Sequence, residues 1–239
     1  MSNYALITGA SGAIGRAIAL ELASLGKPLF LHFHRSKDQA FALKEQCESY
    51  GVPVSIIQEN LSEDGGAKRL FQSLHSPIDT FIYNCGIAYH GLFQDMSEED
   101  IYTLAHLHLL NAILLTKYLL PSMIRRQQGN IIMLSSIWGE RGAACETVYS
   151  AMKGGLNTFV KALAKETARS GVRVNAIAPG AVETPMMASF SEEERNALME
   201  EIPSGRFANP EEIADAVRFL ISPKASYING HILQMNGAW

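Results

Sequence analysis

Between residues 4 and 235 the chain alternates short apolar runs with segments of helical length, an order that few folds accommodate. The runs lie at 4–8, 28–34, 54–58, 80–84, 130–135, 173–178 and 232–235. Most are continuous rather than alternating in polarity, the pattern of parallel strands buried on both faces. Helix-length segments lie between them at 15–25, 36–50, 64–74, 97–126, 149–170 and 210–220. Strand alternating with helix implies right-handed crossovers. The expected fold is therefore α/β, a doubly wound, mostly parallel, seven-stranded sheet with helices on both faces. No repeat, low-complexity tract or Pro/Ser-rich linker marks a boundary, so 1–239 is read as a single domain. At 239 residues and 47% hydrophobic, such a chain can bury one large core.

Charge narrows the partners. Twenty basic side chains stand against 24 acidic ones, and no basic block suggests nucleic acid or an anionic membrane surface. The three cysteines, Cys47, Cys85 and Cys145, are scattered and form no CxxC arrangement. They read as reduced thiols of a cytoplasmic protein rather than a disulfide framework. Met1 leads almost directly into the first strand, so no signal peptide is expected. No apolar run approaches the ~18 residues that read as a membrane span.

The stretch SIWGERGAACETVYSAMK, 136–153, carries the chemistry. Tyr149 and Lys153 are four residues apart, which on a helix puts both side chains on one face. A phenol titrates near ~10 and is a poor acid or base at neutral pH. An ammonium held beside it favours the phenolate and brings the pKa toward working pH. Ser136, at the end of an apolar run, can hydrogen-bond a substrate oxygen from the other side. An ordinary amphipathic pair would look the same if Tyr149 and Lys153 stood alone.

They do not stand alone. Thr8-Gly9-Ala10-Ser11-Gly12-Ala13-Ile14-Gly15 follows a strand and opens a helix. Glycines there let the backbone approach a pyrophosphate seated at a positive helix N-terminus. The second strand ends in Leu31-His32-Phe33-His34-Arg35-Ser36, where an NAD site usually offers a carboxylate to the ribose. Arg35 instead suits a 2′-phosphate, and the nearest acid, Asp38, lies in the next helix, so NADPH/NADP+ is expected over NADH. His32 and His34 share a strand face, but no further ligands lie nearby in sequence, and no metal is expected.

With these pieces placed, the chain is similar over essentially its whole length to the short-chain dehydrogenases/reductases, which have a Rossmann fold. Thr8–Gly15 resembles the family's TGxxxGxG turn, with Gly9, Ser11, Gly12, Ile14 and Gly15 as implied cofactor contacts and Ala13 at its middle glycine. His34 and Arg35 fall at the adenosine ribose, and Asn60 and Leu61 where the family has Asp-Val or Asp-Leu beside the adenine. Asn84, Cys85 and Gly86 resemble the NNAG stretch, with Tyr83 at its first Asn. Ser136, Tyr149 and Lys153 match the family's catalytic Ser, Tyr and Lys; Ser135 lies near, but spacing selects Ser136. Pro179, Gly180, Val182 and Thr184 fall in the segment that holds the nicotinamide, and Arg206, 210–214 and Asn236-Gly237 resemble the C-terminal pattern. The family's fourth catalytic residue, an Asn, is replaced here by His108, with Asn111 one turn further on. A neutral imidazole both donates and accepts, so His108 can serve the same proton relay.

The resemblance implies an NADPH-dependent carbonyl reductase that makes a secondary alcohol. Substrate contacts are expected from Trp138, Glu146 and Met186, the last in a 183–207 segment that resembles the family's mobile loop and equally fits a solvated amphipathic helix. The chain resembles 3-oxoacyl-[acyl-carrier-protein] reductases. It resembles more closely the elongation factor P 5-aminopentanone reductases, on His108, the run 135–140 and Cys145-Glu146. Glu146 suits a cationic aminoketone on elongation factor P, whereas Arg125, Arg126 and Arg169 suit an acyl carrier protein, so charge leaves both open. A cofactor-binding sensor without turnover is the remaining class. The family also implies a homotetramer joined through helices 97–126 and 149–170.

Overall fold

The computed structural model describes residues 3–185, 187 and 190–239. Seven strands form one wholly parallel sheet. They are β1 (Tyr4–Ile7), β2 (Leu29–Phe33), β3 (Val54–Gln58), β4 (Ile78–Tyr83), β5 (Gly129–Leu134), β6 (Val172–Pro179) and β7 (Ile232–Met235). Their order in the sheet is β3-β2-β1-β4-β5-β6-β7. The chain winds outward from β1 through β2 to β3, then crosses back to β4 on the other side. That reversal opens a crevice beyond the carboxyl ends of β1 and β4, where doubly wound folds bind ligands.

The connecting helices are α1 (Ala13–Ser24), α2 (Lys37–Glu48), α3 (Gly66–Gln72), α4 (Glu98–Ala105), α5 (Asn111–Arg126), α6 (Trp138–Arg141), α7 (Thr147–Thr167), α8 (Glu192–Glu201) and α9 (Pro210–Ile221). Side chains alternate across each strand and so feed two separate cores. On one face Ile7, Leu31, Ile132 and Ile177 pack against Ile18 and Leu22 of α1, Leu43 of α2 and Val217 of α9. On the other, Leu6, Phe30, Phe81 and Met133 pack against Leu70 of α3, Leu115 of α5 and Leu156 and Val160 of α7. Burial on both faces is why the strand sequences read as unbroken apolar runs.

Three features of these elements matter for the site. The segment expected as a helix over 97–126 is continuous from Glu98 to Arg126, but its middle turn, His106–Leu110, is a π-helix. This helix is long and apolar enough to cross a membrane by length and composition, with a window 44% buried. Its inner side chains Leu107, Ala112, Leu115, Leu119 and Met123 belong to the core, as in the central helix of a globular domain. The four-residue α6 is too short to show a helical period in sequence. The 183–207 segment contains α8, started by a capping box in which Ser191 and Glu194 satisfy each other's backbone N–H, and none of its residues is buried.

Candidate active site

Gly9, just past β1, takes a left-handed φ of 63°, which glycine adopts without strain. Side chains from two neighbouring strands fix it. Its N–H donates to His32 Nδ1 at 3.1 Å, and its carbonyl accepts from Asn84 Nδ2 at 3.1 Å. The Asn84 N–H in turn donates to Thr8 Oγ1 at 3.0 Å. With Nδ1 accepting, His32 Nε2 carries the proton and donates to the Glu59 carbonyl at 3.0 Å. Burial pushes the His32 imidazole down to about 4, so it stays neutral. Both ring nitrogens are thus engaged by backbone groups, which makes His32 an anchor of the turn and not a metal ligand.

The turn suits an anion. Gly12 caps α1 with no side-chain hydrogen bond, and no acidic residue lies in the first turn. The free N–H groups of such a helix start favour negative charge. A Cβ on Gly15 would collide with the Gly9 carbonyl and come within 2.8 Å of Ala10 Cα and Asn84 Nδ2, so the turn tolerates nothing larger. Ser11 and Ile14 are half-buried beside it, as is His34 at the end of β2, while Arg35 is exposed.

At the expected adenine edge, the side chains of Asn60 and Leu61 are already engaged. Asn60 does not offer a free acceptor to an adenine amine. Its Oδ1 already accepts from the Ser62 N–H at 3.0 Å and hydroxyl at 2.7 Å, and its Nδ2 donates to Glu63 at 3.1 Å. Leu61 turns its side chain into the core, and its carbonyl accepts from Asn111 Nδ2 at 2.9 Å. Cys85, after β4, is buried, with Sγ 3.6 Å from His32 Nδ1, and burial pushes its thiol up to about 12. Tyr83 faces the core, where its hydroxyl donates to the Leu107 carbonyl at 2.6 Å.

Ser136 follows β5, and Tyr149 and Lys153 project from the first turns of α7. The Ser136 hydroxyl lies near the Tyr149 phenol, and the Trp138 N–H donates to Ser136 Oγ at 3.2 Å. Ser135 points elsewhere, its hydroxyl donating to Asn157 at 2.6 Å. Lys153 is 4% exposed; its Nζ donates to the Leu134 carbonyl at 2.7 Å and lies 5.6 Å from the centre of the Tyr149 ring. Gly139 permits this, because a Cβ there would lie 2.7 Å from the Lys153 carbonyl carbon.

The expected depression of the Tyr149 pKa by Lys153 is not what this environment produces. Burial pushes the phenol up to about 12, against the opposing effect of the nearby Ser136 hydroxyl, and pushes the Lys153 ammonium down to about 8. Each charged form loses water and gains no full counter-charge, so desolvation wins.

His108 packs beside Tyr149. It is fully buried on the π-helical turn; its Nε2 meets the Ile87 backbone, 3.0 Å from the carbonyl and 3.3 Å from the N–H. Its ring stands edge-on to Tyr149 with centroids 5.0 Å apart. Burial and the nearby Lys153 charge push it down to about 3, and Nδ1 is buried without a partner. No direct hydrogen bond joins His108 to Lys153 among the described residues, and the His108 Nε2 clamps the 86–87 backbone that backs the Tyr149 ring. Gly86 makes room, since a Cβ there would lie 2.9 Å from His108 Cε1. Asn111, the residue easily mistaken for the fourth catalytic group, is spent on the Leu61 and Glu63 carbonyls and the Ala67 N–H.

Beside Tyr149 a hollow is lined by Tyr89, Phe93, Met96, Leu104, Cys145 and Glu146. Cys145 holds a left-handed φ of 64°, and its carbonyl accepts from the Gly91 N–H at 3.0 Å, pinning the 88–95 loop to the start of α7. Burial raises the Glu146 carboxyl, with His90 the charge that opposes the shift. On the far side, the Pro179 carbonyl accepts from the Ile137 N–H, Gly180 donates to the Met235 carbonyl, and Val182 bridges to Ala208. Thr184 is half-buried at the end of this segment. Met186 lies outside the described residues. Sequence reading passed over His32 as a turn anchor, Asn111 as a clamp, and Trp239, which packs edge-on to Trp138 at 5.2 Å.

Residues 9–238 match the family model described as enoyl-(acyl carrier protein) reductase. The chain is 48% identical to the uncharacterized oxidoreductase YmfI of Bacillus subtilis (strain 168), over 100% of this chain and 99% of that protein. It is 38% identical to the 3-oxoacyl-[acyl-carrier-protein] reductase FabG of Aquifex aeolicus (strain VF5), over 98% and 96% of the two chains. It is 35% identical to the FabG of Staphylococcus epidermidis (strain ATCC 12228 / FDA PCI 1200), over 99% and 98%. End-to-end similarity of this kind, on a wholly parallel doubly wound sheet, shows that the chain belongs to the short-chain dehydrogenase/reductase family of oxidoreductases.

Proposed function

We propose that the protein is an NADPH-dependent reductase that converts a ketone to a secondary alcohol. The observation that carries this reading is the convergence of Ser136, just past β5, with Tyr149 on α7, the buried Lys153 ammonium over the Tyr149 ring and the glycine turn across the crevice. The residues present fit a dinucleotide. Gly9, Ser11, Gly12, Ile14 and Gly15 would hold the pyrophosphate, with His34 and Arg35 at the adenosine phosphate. Asn84, Cys85 and Gly86 would line the crevice wall. Lys153 would meet the nicotinamide ribose, and Pro179, Gly180, Val182 and Thr184 the carboxamide. A bound dihydronicotinamide supplies hydride to the carbonyl carbon.

The chain's own residues do the rest. Ser136 and Tyr149 hydrogen-bond the carbonyl oxygen and stabilise the negative charge that develops there. Tyr149, protonated at neutral pH as any phenol is, gives its proton to that oxygen. Lys153 supplies positive charge as the phenolate forms. His108 holds the Tyr149 ring from behind, and Trp138 donates to Ser136 to fix its hydroxyl. Arg35→Asp is expected to weaken NADPH binding by about 10- to 100-fold, with no loss for NADH, because one charge-assisted contact is removed and a repulsion added. Fluorescence titration of both cofactors measures it; equal losses for both would show that Arg35 does not read the 2′-phosphate.

For the ketone, Glu146 favours a substrate with a nearby cation. A carboxylate partly stripped of water, beside Tyr89 and Phe93, gains most from an alkylammonium. We therefore favour a 5-aminopentanone group carried on a lysine of elongation factor P. The names of the Aquifex and Staphylococcus relatives favour the second reading, a 3-oxoacyl group on acyl carrier protein. NADPH oxidation with each substrate side by side separates them. Turnover of the modified elongation factor alone supports the first reading, and turnover of the thioester alone overturns it. The half-exposed apolar trough between α5 and α7, with Ile113, Leu120, Pro121, Ile124 and Phe159, supports a homotetramer built through these helices.

A further inference from the structure

The short helix α6 leaves the strand end that carries Ser136, and it is held from one side by a single turn at 236–239. That turn is tightly made. Asn236 Oδ1 accepts from the Ala238 N–H at 3.1 Å, its Nδ2 donates to the Trp239 carbonyl at 2.6 Å, and the Trp239 N–H donates to the Asn236 carbonyl at 3.1 Å. Gly237 and Ala238 both take left-handed φ values, 64° and 70°, and for Ala238 this is a strained choice that the surrounding hydrogen bonds enforce.

Three parts of the candidate site rest on this turn. The Trp239 indole packs edge-on to Trp138 at 5.2 Å, and Trp138 is the residue whose N–H donates to Ser136 Oγ. Just before the turn, Gln234 hydrogen-bonds Glu140 at the other end of α6. The turn also closes against Gly180, where a Cβ would lie 3.1 Å from Asn236 Cα and 3.5 Å from the Trp239 ring. Lastly, the Gly237 carbonyl accepts from the Ser204 N–H at 3.1 Å, and a Cβ on Gly237 would collide with the Ser204 hydroxyl. Ser204 lies just past α8, so one turn touches the catalytic-serine helix, the nicotinamide-side segment and the foot of the substrate segment.

We propose that Trp239 is a positioning residue for the carbonyl site: it holds Trp138, and through the Trp138 amide it sets the orientation of the Ser136 hydroxyl. The proposal rests on the ketone-reductase reading of that serine. A rigid aromatic ring suits the task, because an edge-on pair fixes both distance and angle, whereas an aliphatic contact fixes neither. Small displacements at a reacting oxygen are costly; a shift of about 1 Å is worth up to ~10²-fold in rate.

The test is a double-mutant cycle of Trp138→Phe and Trp239→Leu, with Trp239→Phe as the conservative control. Wild-type ketone reduction is measured first; a wild type inactive on every ketone counts against the reductase reading and leaves the spectroscopic arm to judge Trp239. The two tryptophans of the chain are the two members of the pair, so the emission of Trp239→Leu comes from Trp138 alone. The expected result is a ~10- to 100-fold loss of kcat/KM for the ketone in Trp239→Leu, with unchanged NADPH affinity, near-full rescue by Phe, and a red shift of Trp138 emission. The cycle should show strong coupling, since Trp239 acts through Trp138. Wild-type kinetics in Trp239→Leu, additive effects in the cycle, or unaltered Trp138 emission would each overturn the proposal.

Discussion

Replacing Tyr149 by Phe is expected to lower kcat for ketone reduction by about 10²- to 10⁴-fold and to leave NADPH affinity unchanged. The phenylalanine ring keeps the edge-on contact with His108 and the position beneath Lys153, so packing is preserved and one hydroxyl is removed. That hydroxyl is the proposed proton donor. Because burial holds the phenol near 12, the protonated form needed for reduction is already the dominant one at neutral pH. The reverse reaction, alcohol oxidation, needs the phenolate, so its rate should climb with pH in the wild type and lose that climb in the variant. Steady-state rates in both directions, with cofactor fluorescence as the binding control, decide it. A variant that reduces ketones as fast as the wild type would remove Tyr149 from the mechanism.

Lys153→Met is the second large effect, and here activity and stability should move in opposite directions. Lys153 is buried with a folded pKa of about 8, below its ordinary 10.5. The fold therefore disfavours the charged form. The resulting cost, on the order of 3 kcal/mol from a shift of this size, is fully present below pH 8 and fades as pH rises from 8 toward 10.5. Methionine fills similar volume without a charge, though it leaves the Leu134 carbonyl without its donor, a loss of about 1–3 kcal/mol. The expected outcome is a urea midpoint at pH 7 equal to or above that of the wild type, with ketone reduction down by at least ~10²-fold. A variant that is inactive and also markedly destabilised would mean that Lys153 holds the fold together rather than being carried by it at a cost.

The two ends of this site differ in how much of them local sequence carries. The strands 54–58 and 232–235 coincide with their expected bounds, and the other five shift by one or two residues at their ends. Continuous apolar runs flanked by turn residues leave little choice of element. Ser136, Tyr149 and Lys153 stand out because their relation is local, a strand end followed by one turn of helix. His32, Asn111 and Trp239 do not stand out, because each acts on backbone or rings between 23 and 101 residues away, counting 32 − 9 and 239 − 138. The π-helical turn is hidden for another reason: it changes which carbonyl each N–H meets without changing composition. The raised Tyr149 pKa was likewise out of reach, since the Tyr-to-Lys spacing gives proximity but says nothing of how much water both groups lose.

The Gly9 turn has a kinetic consequence. Its N–H and carbonyl are both claimed by side chains, His32 from β2 and Asn84 from the end of β4, before any nucleotide arrives. A pyrophosphate thus meets a mould already set and need not organise a loop as it docks, which removes the ordering cost that weakens binding to flexible loops. The carbonyl side is assembled differently, from the 88–95 loop, α6 and the segment leading to α8, each held in place by a few hydrogen bonds and ring contacts. Under the proposed function, such a site is expected to take dinucleotide before ketone and to release alcohol ahead of the spent nucleotide, an order that product-inhibition kinetics checks.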